Sequence, residues 1–594
     1  MSAPGLFDRL EAFWRELVRR RVIHVAGVYA LLSWVGVYMV ATTYEILLLP
    51  SAVLRFLLAA TFLGFPLMLV LAWYLRLGRG GVRIRRSGTD GPGRGTGVGN
   101  GAGAGLLVFG LLLAGGSYLV MADRLAPPKG AALEVEEGSV AVLPFEPLGA
   151  EDDDRYFSDG MTDEVIARLA RIPDLKVISR TSTMRYRDTD KGPREIGREL
   201  GVATLLESSL RREADRIRIS ARLLDARTER TLWAETFDRE LEDVLALQSE
   251  LAERIAESLG RAMGGVEALA SAEHTPAVGD VAAYELYLRG RFFWNRRDPE
   301  GLDRAVALLE DAVAMDPGFA RAHAALADAF VVLPYHTDAA TVASHERARE
   351  AAERALDLEP TLGEAHAALA FVHTTLWEWA RAEEEFLRAL ELAPGYATGH
   401  QWYAAFLVAE GRIPEGLAAI RHARSMDPLS LMINDELGLI LYVAGEMEAA
   451  LEQFESTAEL EPGFPPVHLH RAWVLENVER YDGMVEALET WNGLLPVPAF
   501  PPGSLRRAYE AGEEETAFMF LAELPDDAPV SPIDRARWNT WLGRTNEAFR
   551  WLERAFEVRD PWLTYIRAWP FTQPLRNDPR FSELLQRMNL ADRE

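Results

Sequence analysis

Five prolines constrain this chain more than any other feature of its 594 residues. Pro317, Pro360, Pro394, Pro428 and Pro462 each end a helix-forming stretch in the tripeptides MDP, LEP, LAP, MDP and LEP, and the last three intervals are 34 residues each. Recurrence at one spacing means that a single supersecondary unit is copied along the chain, and such a unit cannot bury its apolar face alone. Stacking is therefore obligatory. The first interval is 43 residues, and its surplus falls near Leu333-Pro334-Tyr335-His336-Thr337, which predicts a long turn between the two helices of that copy.

Other residues keep the same phase. Ala327, Ala370, Ala404, Gly438 and Ala472 recur on a first helix and Ala348, Ala382, Gly416 and Ala450 on a second, as two closely crossing helices require. A period of 34 with two antiparallel helices per copy is that of the tetratricopeptide repeat. Residues 284–594 thus read as an all-α tetratricopeptide repeat superhelix of six to eight helix pairs, with Met484 to Leu524 as one degenerate pair. The final stretch, RDPWLTYIRAWPFTQPLRNDPRFSELLQRM, reads as a cap over the last apolar face.

First helices line the concave side of such a superhelix. By repeat phase, Glu364, Ala367, Phe371, Gln401, Asp435, Leu439, Tyr442 and Trp473 face it. Their mixture of aromatic anchors and acids suits an extended or helical peptide with basic residues. His323, His366, His400 and His468 share one repeat position, with Asn434 interrupting the series. Equivalent positions in stacked helices lie about 10 Å apart, too far for one ion with metal–nitrogen bonds of about 2.1 Å. These rings, and Trp377, Trp379, Trp402, Trp473, Trp538 and Trp541, read as packing, and no metal is expected.

The head of the chain is different. Formal charge is −27 overall, yet residues 1–121 hold twelve Arg and five acids and carry +7, which leaves about −34 on the remainder. Segments 22–44, 56–75 and 102–122 are almost free of ionisable side chains and long enough for helices that span a bilayer. Arg clusters precede the first and follow the second, so the positive-inside tendency puts the basic N-terminus 1–21 and the Gly/Arg-rich linker 76–101 in the cytoplasm. The expectation is a membrane anchor over 22–122, with the lipid bilayer as a partner and a linker that is a tether without a fold of its own. The later domains are then periplasmic, outside a bacterial inner (plasma) membrane.

Between anchor and repeats the pattern changes to α/β. Ser139–Phe145, Leu175–Ile178, Ala203–Leu210, Arg216–Asp225 and Thr231–Phe237 read as strands, the fourth with polar and apolar residues alternating. Ser158–Arg171, with Thr162 as its N-cap, Pro193–Leu200 and Asp243–Leu259 read as helices. The order predicts a small mixed sheet with helices packed on it. Glu151 to Asp154, with Asp159 and Asp163, reads as a solvated acidic loop, since no calcium-loop spacing is present.

These residues also carry a resemblance. VAVLPF, YFSDGMTDEVIARLARIPDLKVISRTSTMRY, REIGRELGV, DRIRISARLLDARTERTLWAETFDREL and LALQSELAERIAESL together resemble the TolB amino-terminal-like domain, over 139–260. Ser208 and Glu229 stand where that family commonly has glycine. The resemblance implies an extracytoplasmic module without established catalysis. It is found in bacterial membrane proteins beside tetratricopeptide repeats, sometimes behind cytoplasmic cyclase, kinase or DNA-binding effectors.

Composition excludes much chemistry. With no Cys there is no thiolate nucleophile, disulfide or iron–sulfur ligation. A strongly acidic body does not bind nucleic acid, which needs clustered Lys and Arg. No Gly-rich phosphate loop, G-x-S-x-G elbow or paired-His motif is present. The expectation is a multi-domain, cofactor-free, non-enzymatic membrane-anchored interaction scaffold. The alternative is the sensory input of a bacterial signalling system acting through a separate effector.

Overall fold

A computed structural model describes residues 75–78, 81–84, 135–149, 152–213, 216–240, 243–262, 280–336 and 340–590. The chain divides into two compact units, Met1–Ala131 and Ala132–Glu594. In the first, the described residues form an antiparallel hairpin of β1 (Leu75–Gly78) and β2 (Gly81–Ile84). The linker expected to be a structureless tether therefore contains paired strands.

The expected fold class began with transmembrane α-helices, and that part is overturned. No helix among the described residues is long and apolar enough to cross a membrane. The long ones carry charges throughout, as in DDDRYFSDGMTDEVIARL and TVASHERAREAAERALDL, whereas a bilayer needs roughly 20 mostly apolar residues. The segments 22–44, 56–75 and 102–122 lie outside the described residues, except Leu75, which is in β1. The inner-membrane localisation, with its cytoplasmic N-terminus and periplasmic domains, rested on those spans and is withdrawn with them.

The second unit opens with a small mixed sheet. β3 (Glu136–Val142), β4 (Glu146–Pro147), β5 (Lys176–Ile178), β6 (Val202–Glu213), β7 (Arg216–Asp225) and β8 (Thr231–Glu240) lie in the order β5-β3-β6-β7-β8, with β4 beside β6. β3 is parallel to β5 and β6, and β6 to β8 form an antiparallel meander. Alternation along β7 sends Ile217, Ile219, Ala221 and Leu223 into the core, while outward Arg216 and Arg218 both bind Asp238.

Helix α1 (Asp152–Leu169) starts six residues earlier than the sequence suggests. Asp152 to Asp154 of the expected acidic loop form its first turn, where acidic residues suit the positive end of a helix dipole, while Asp159 and Asp163 lie further along the helix, bound by Arg187 and Arg291. Thr162 is not its cap. The hydroxyl lies mid-helix, donates to the Ser158 carbonyl and accepts from Phe145 N–H at 3.0 Å, which ties the end of the first long strand to the helix. α2 (Arg180–Thr183), α3 (Pro193–Leu200) and α4 (Val244–Ala262) complete the domain, and Gly201 ends α3 in the left-handed region at φ 65°.

Helix pairs follow. α5 (Val281–Trp294) pairs with α6 (Pro299–Met315), α7 (Ala320–His336) with α8 (Thr341–Leu358), α9 (Gly363–Thr375) with α10 (Trp379–Leu392) and α11 (Ala397–Ala409) with α12 (Ile413–Met426). α13 (Leu431–Val443) pairs with α14 (Met447–Leu460) and α15 (Pro465–Asn477) with α16 (Tyr481–Leu494). The surplus of the 43-residue interval goes largely into helix length, because α7 and α8 have 17 and 18 residues where α9 and α10 have 13 and 14. The stretch 484–524 is not one pair: α16 belongs to α15, and α17 (Ser504–Ala522) is broken at Gly512 and Glu513. α18 (Pro532–Trp541) and α19 (Thr545–Val558) form a last pair, followed by 3-10 turns at Pro561–Tyr565 and Pro570–Leu575 and by α20 (Pro579–Arg587).

The core is continuous across the two domains. One apolar cluster runs from Val140 and Val142 on the sheet through Phe157 and Met161 of α1 to Tyr284 and Leu309 of the first helix pair.

Candidate functional site

Helix α1 packs on the first helices of the array through charge as well as apolar contact. Glu164, 4% exposed, accepts from Tyr287 Oη at 2.6 Å and pairs with Arg321. Burial works to raise its pKa, but Arg321, Arg168 and the Tyr287 hydrogen bond together hold the carboxyl below its ordinary value. Arg291 bridges Asp163 at 3.2 Å and Asp328 at 3.4 Å. Asp328 is buried, and that burial pushes its carboxyl up to about 7 against the pull of Arg291. Backbones also meet directly: Gly395 N–H donates to the Ala170 carbonyl at 2.9 Å, and a Cβ on Gly395 would lie 2.7 Å from that oxygen.

A second line of contact joins the edge of the sheet to the turn between α12 and α13. Ser179 N–H donates to the Met426 carbonyl at 2.8 Å, and Ser182 Oγ donates to Asp427 at 2.6 Å. Burial raises the Asp427 carboxyl to about 6 despite that bond.

Between the two lines a cleft of about 240 Å³ remains. Five arginines and three carboxylates line it. Arg291 is bound as described, Arg296 pairs with Asp298 at 2.9 Å, and Arg180 lies 3.6 Å from Asp159, which is bound more closely by Arg187. Arg297 differs. It has no ion-pair partner among the described residues; its guanidinium lies 3.9 Å from the Trp294 ring centroid, and burial lowers its pKa to about 10.

The expected groove residues fall into two groups. Glu364 and Gln401 line this cleft. Phe371, Asp435, Leu439, Tyr442 and Trp473 lie on first helices of the pairs, Phe371 half-buried and the others buried. The chain's own segment Asp560–Leu575 packs against Tyr442 and Trp473. Trp562 and Trp569 cross the Trp473 ring edge-on at 5.7 and 5.3 Å, and Trp569 lies 6.2 Å from Tyr442. Asp435 is bound to His470 at 2.8 Å, whose ring meets Trp562. Tyr335 links Trp562 to Phe371. Asp435, Tyr442 and Trp473 are thus gathered under one aromatic segment, while Glu364 and Gln401 stand apart from them.

The closing segment therefore folds into the array and does not merely cap its end. Beyond it, Met588 accepts from Trp379 Nε1 at 2.9 Å, a contact 209 residues apart in sequence. A signal for this was present: Trp562, Tyr565, Trp569 and Phe571 are too apolar for a solvated cap. Arg180 and Arg297 carried none, since they follow no repeat phase. The described residues contain no group of His, Asp and Glu able to hold a metal.

No family model matches the chain. It is 36% identical over 211 residues to the protein named "Putative adenylate cyclase 3" of Rhizobium meliloti, covering 34% of this chain and 35% of that protein. It is 30% identical over 138 residues to the type IV pilus assembly protein PilF of Pseudomonas aeruginosa, covering 23% of this chain and 55% of that one. The chain therefore spans about a third and about half of the length of these relatives. A solved structure of Pseudomonas aeruginosa PilF is 20% identical, covers 41% of this chain and 95% of its own, and has a TM-score of 0.26. The 34-residue period, realised as successive antiparallel helix pairs, decides the matter for the helical region. It is a tetratricopeptide repeat array. Such an array is a scaffold for protein interaction, since stacked pairs present one extended concave surface.

Proposed function

We propose that the protein is a non-enzymatic interaction scaffold whose repeat array holds the segment Asp560–Leu575 in its concave side and exchanges it for a peptide of a partner protein. One observation carries this reading. The backbone hydrogen bonds of 560–575 close within the segment or onto the end of α19, so only side chains attach it to Tyr442, His470 and Trp473. A segment held through side chains, among them the buried Leu563 and Ile566 and the Asp560 carboxylate that accepts from Ser531 Oγ at 2.6 Å, can leave without stripping backbone groups of their partners. The expected groove residues Phe371, Asp435, Leu439, Tyr442 and Trp473 are then the partner site, and an incoming peptide needs aromatic anchors more than basic ones. The α/β domain, with its resemblance to the TolB amino-terminal-like domain, acts as a body fixed against the array.

A photo-crosslinking residue in place of Leu439 tests this. Partners captured there are expected to increase when Trp562 and Trp569 are changed to Ala, and to decrease when a synthetic 560–575 peptide is added. Capture indifferent to both sinks the reading.

A second reading is the sensory input of a signalling system acting through a separate effector. The partial identity with the cyclase-named relative favours it, as does a cleft between two domains of one unit, where a ligand would change how they are held.

A further inference from the structure

We propose that the cleft between the α/β domain and the repeat array is a binding site for a small anion bearing a phosphate or two carboxylates, with Arg297 as its anchor and Arg180 as its second contact.

The first argument is charge. A guanidinium withdrawn from water without a carboxylate is costly, and native interiors pair such groups. Arg297 is half-buried; it has the Trp294 ring and, beyond ion-pair reach, the charge of Asp328 and Tyr396, which leaves its N–H donors available to a ligand. Arg180 is held 3.6 Å from an aspartate already occupied by Arg187, and the charge of Arg291 acts against both Arg180 and Arg297, partly offsetting Asp163 and Asp159 at the first and Asp328 at the second. An anion placed among them relieves that repulsion. The three carboxylates on the walls have partners: Asp163 has Arg291 at 3.2 Å, Asp427 has the Ser182 hydroxyl at 2.6 Å, and Glu364 has Arg171 at 3.6 Å, which leaves its buried Oε2 without a hydrogen bond.

The second argument is backbone. Arg297 sits at φ 57°, in the left-handed region, at the turn between α5 and α6. Three corresponding turns of other pairs hold Gly411, Gly445 and Gly543 there, and two hold Trp377 and Glu479. A long cationic side chain kept at a position that favours glycine points to a use for the side chain.

The third argument is space. Thr398 near the start of α11, and Ser430 to Ile433 at the start of α13, line the cleft, so the positive ends of two helices of 13 residues face it. The volume of about 240 Å³ lies below the roughly 300 Å³ at which pockets for drug-sized ligands begin, which selects a phosphate ester or a short dicarboxylate over a nucleotide or a peptide. Position completes the case: the site is bounded by both domains, so occupancy strengthens the contact between them.

The test is thermal unfolding of the full chain at constant ionic strength with inorganic phosphate, glycerol phosphate, succinate or sodium chloride, followed by titration calorimetry of whichever ligand acts. Phosphate compounds or succinate are expected to raise Tm by about 3 °C at millimolar concentration, with chloride inert. Arg297→Gly, which the backbone favours, is expected to keep or raise the Tm of the free protein while weakening binding about tenfold or more, and Arg297→Lys to retain part of it. A response to phosphate compounds alone or to succinate alone identifies the anion. Absence of any response, or an equal response in Arg297→Gly, overturns the proposal.

Discussion

The turn inside each of six helix pairs asks one residue to take a left-handed conformation. Arg297, Trp377, Gly411, Gly445, Glu479 and Gly543 do so, at φ 57°, 62°, 87°, 82°, 58° and 68°. A residue with a Cβ is strained there by about 1 kcal/mol relative to glycine. Trp377 offsets that cost by packing on Phe556 beneath the Arg559 guanidinium. Glu479 is exposed and has no ion-pair partner among the described residues. Glu479→Gly should therefore raise stability by about 0.5 kcal/mol in urea unfolding, and Gly445→Ala should lower it by about 1 kcal/mol; the opposite signs would contradict this account of the turn. The same phase explains the histidines, whose recurrence was visible while its cause was not. Nε2 of His323, His366, His400 and His468 meets the carbonyl of the repeat proline six residues earlier, at 3.2, 3.1, 2.8 and 2.9 Å. Asn434 makes the same bond to Pro428 through its amide at 2.9 Å, so the interruption in the series conserves the contact and changes only the donor.

Elements written by a short period were legible, and elements held by remote partners were not. The spacing of 34 and the alternation along β7 come from contacts within one copy or between neighbouring strands, so they leave a pattern in sequence. The segment Asp560–Leu575 is a short run of 3-10 turns whose place is set by rings on α7, α13 and α15, and only its aromatic content hinted at burial. Glu436 adds an electrostatic control on that segment. It is partly buried near Tyr335 and Tyr565; burial, and then the charge of Asp435, push its carboxyl up to about 8. A carboxyl whose folded pKa exceeds its ordinary 4.5 is neutral at lower cost in the folded state, so stability falls as pH rises from about 4.5 through 8. Glu436→Gln should match the wild type near pH 4 and exceed it by on the order of 2 kcal/mol at pH 9, with slower proteolysis at the segment. Equal pH profiles would show that Glu436 titrates normally.

At the scale of the whole second unit, the sequence suggests two modules on one string because each has its own signature. The structure joins them with residues that belong to neither signature. Asp163, Glu164, Arg291 and Arg321 look like solvated charges in a chain of net charge −27, yet they form the buried contact between α1 and the first repeats. A buried ion pair adds little against an apolar substitute, but removing one partner strands the other and costs about 3 to 5 kcal/mol. Arg321→Met leaves Glu164 with the Tyr287 hydroxyl and more distant charge. The wild-type unit should unfold in urea as one transition, because its core is continuous from Val140 to Leu309. Arg321→Met should split that transition, releasing the α/β domain at lower urea while the repeats persist, and Glu164→Gln added to it should bring the two midpoints together again. One unchanged transition in Arg321→Met would mean that apolar contact alone binds the two domains, and that anion binding in the cleft beside them could not report on how firmly they are held.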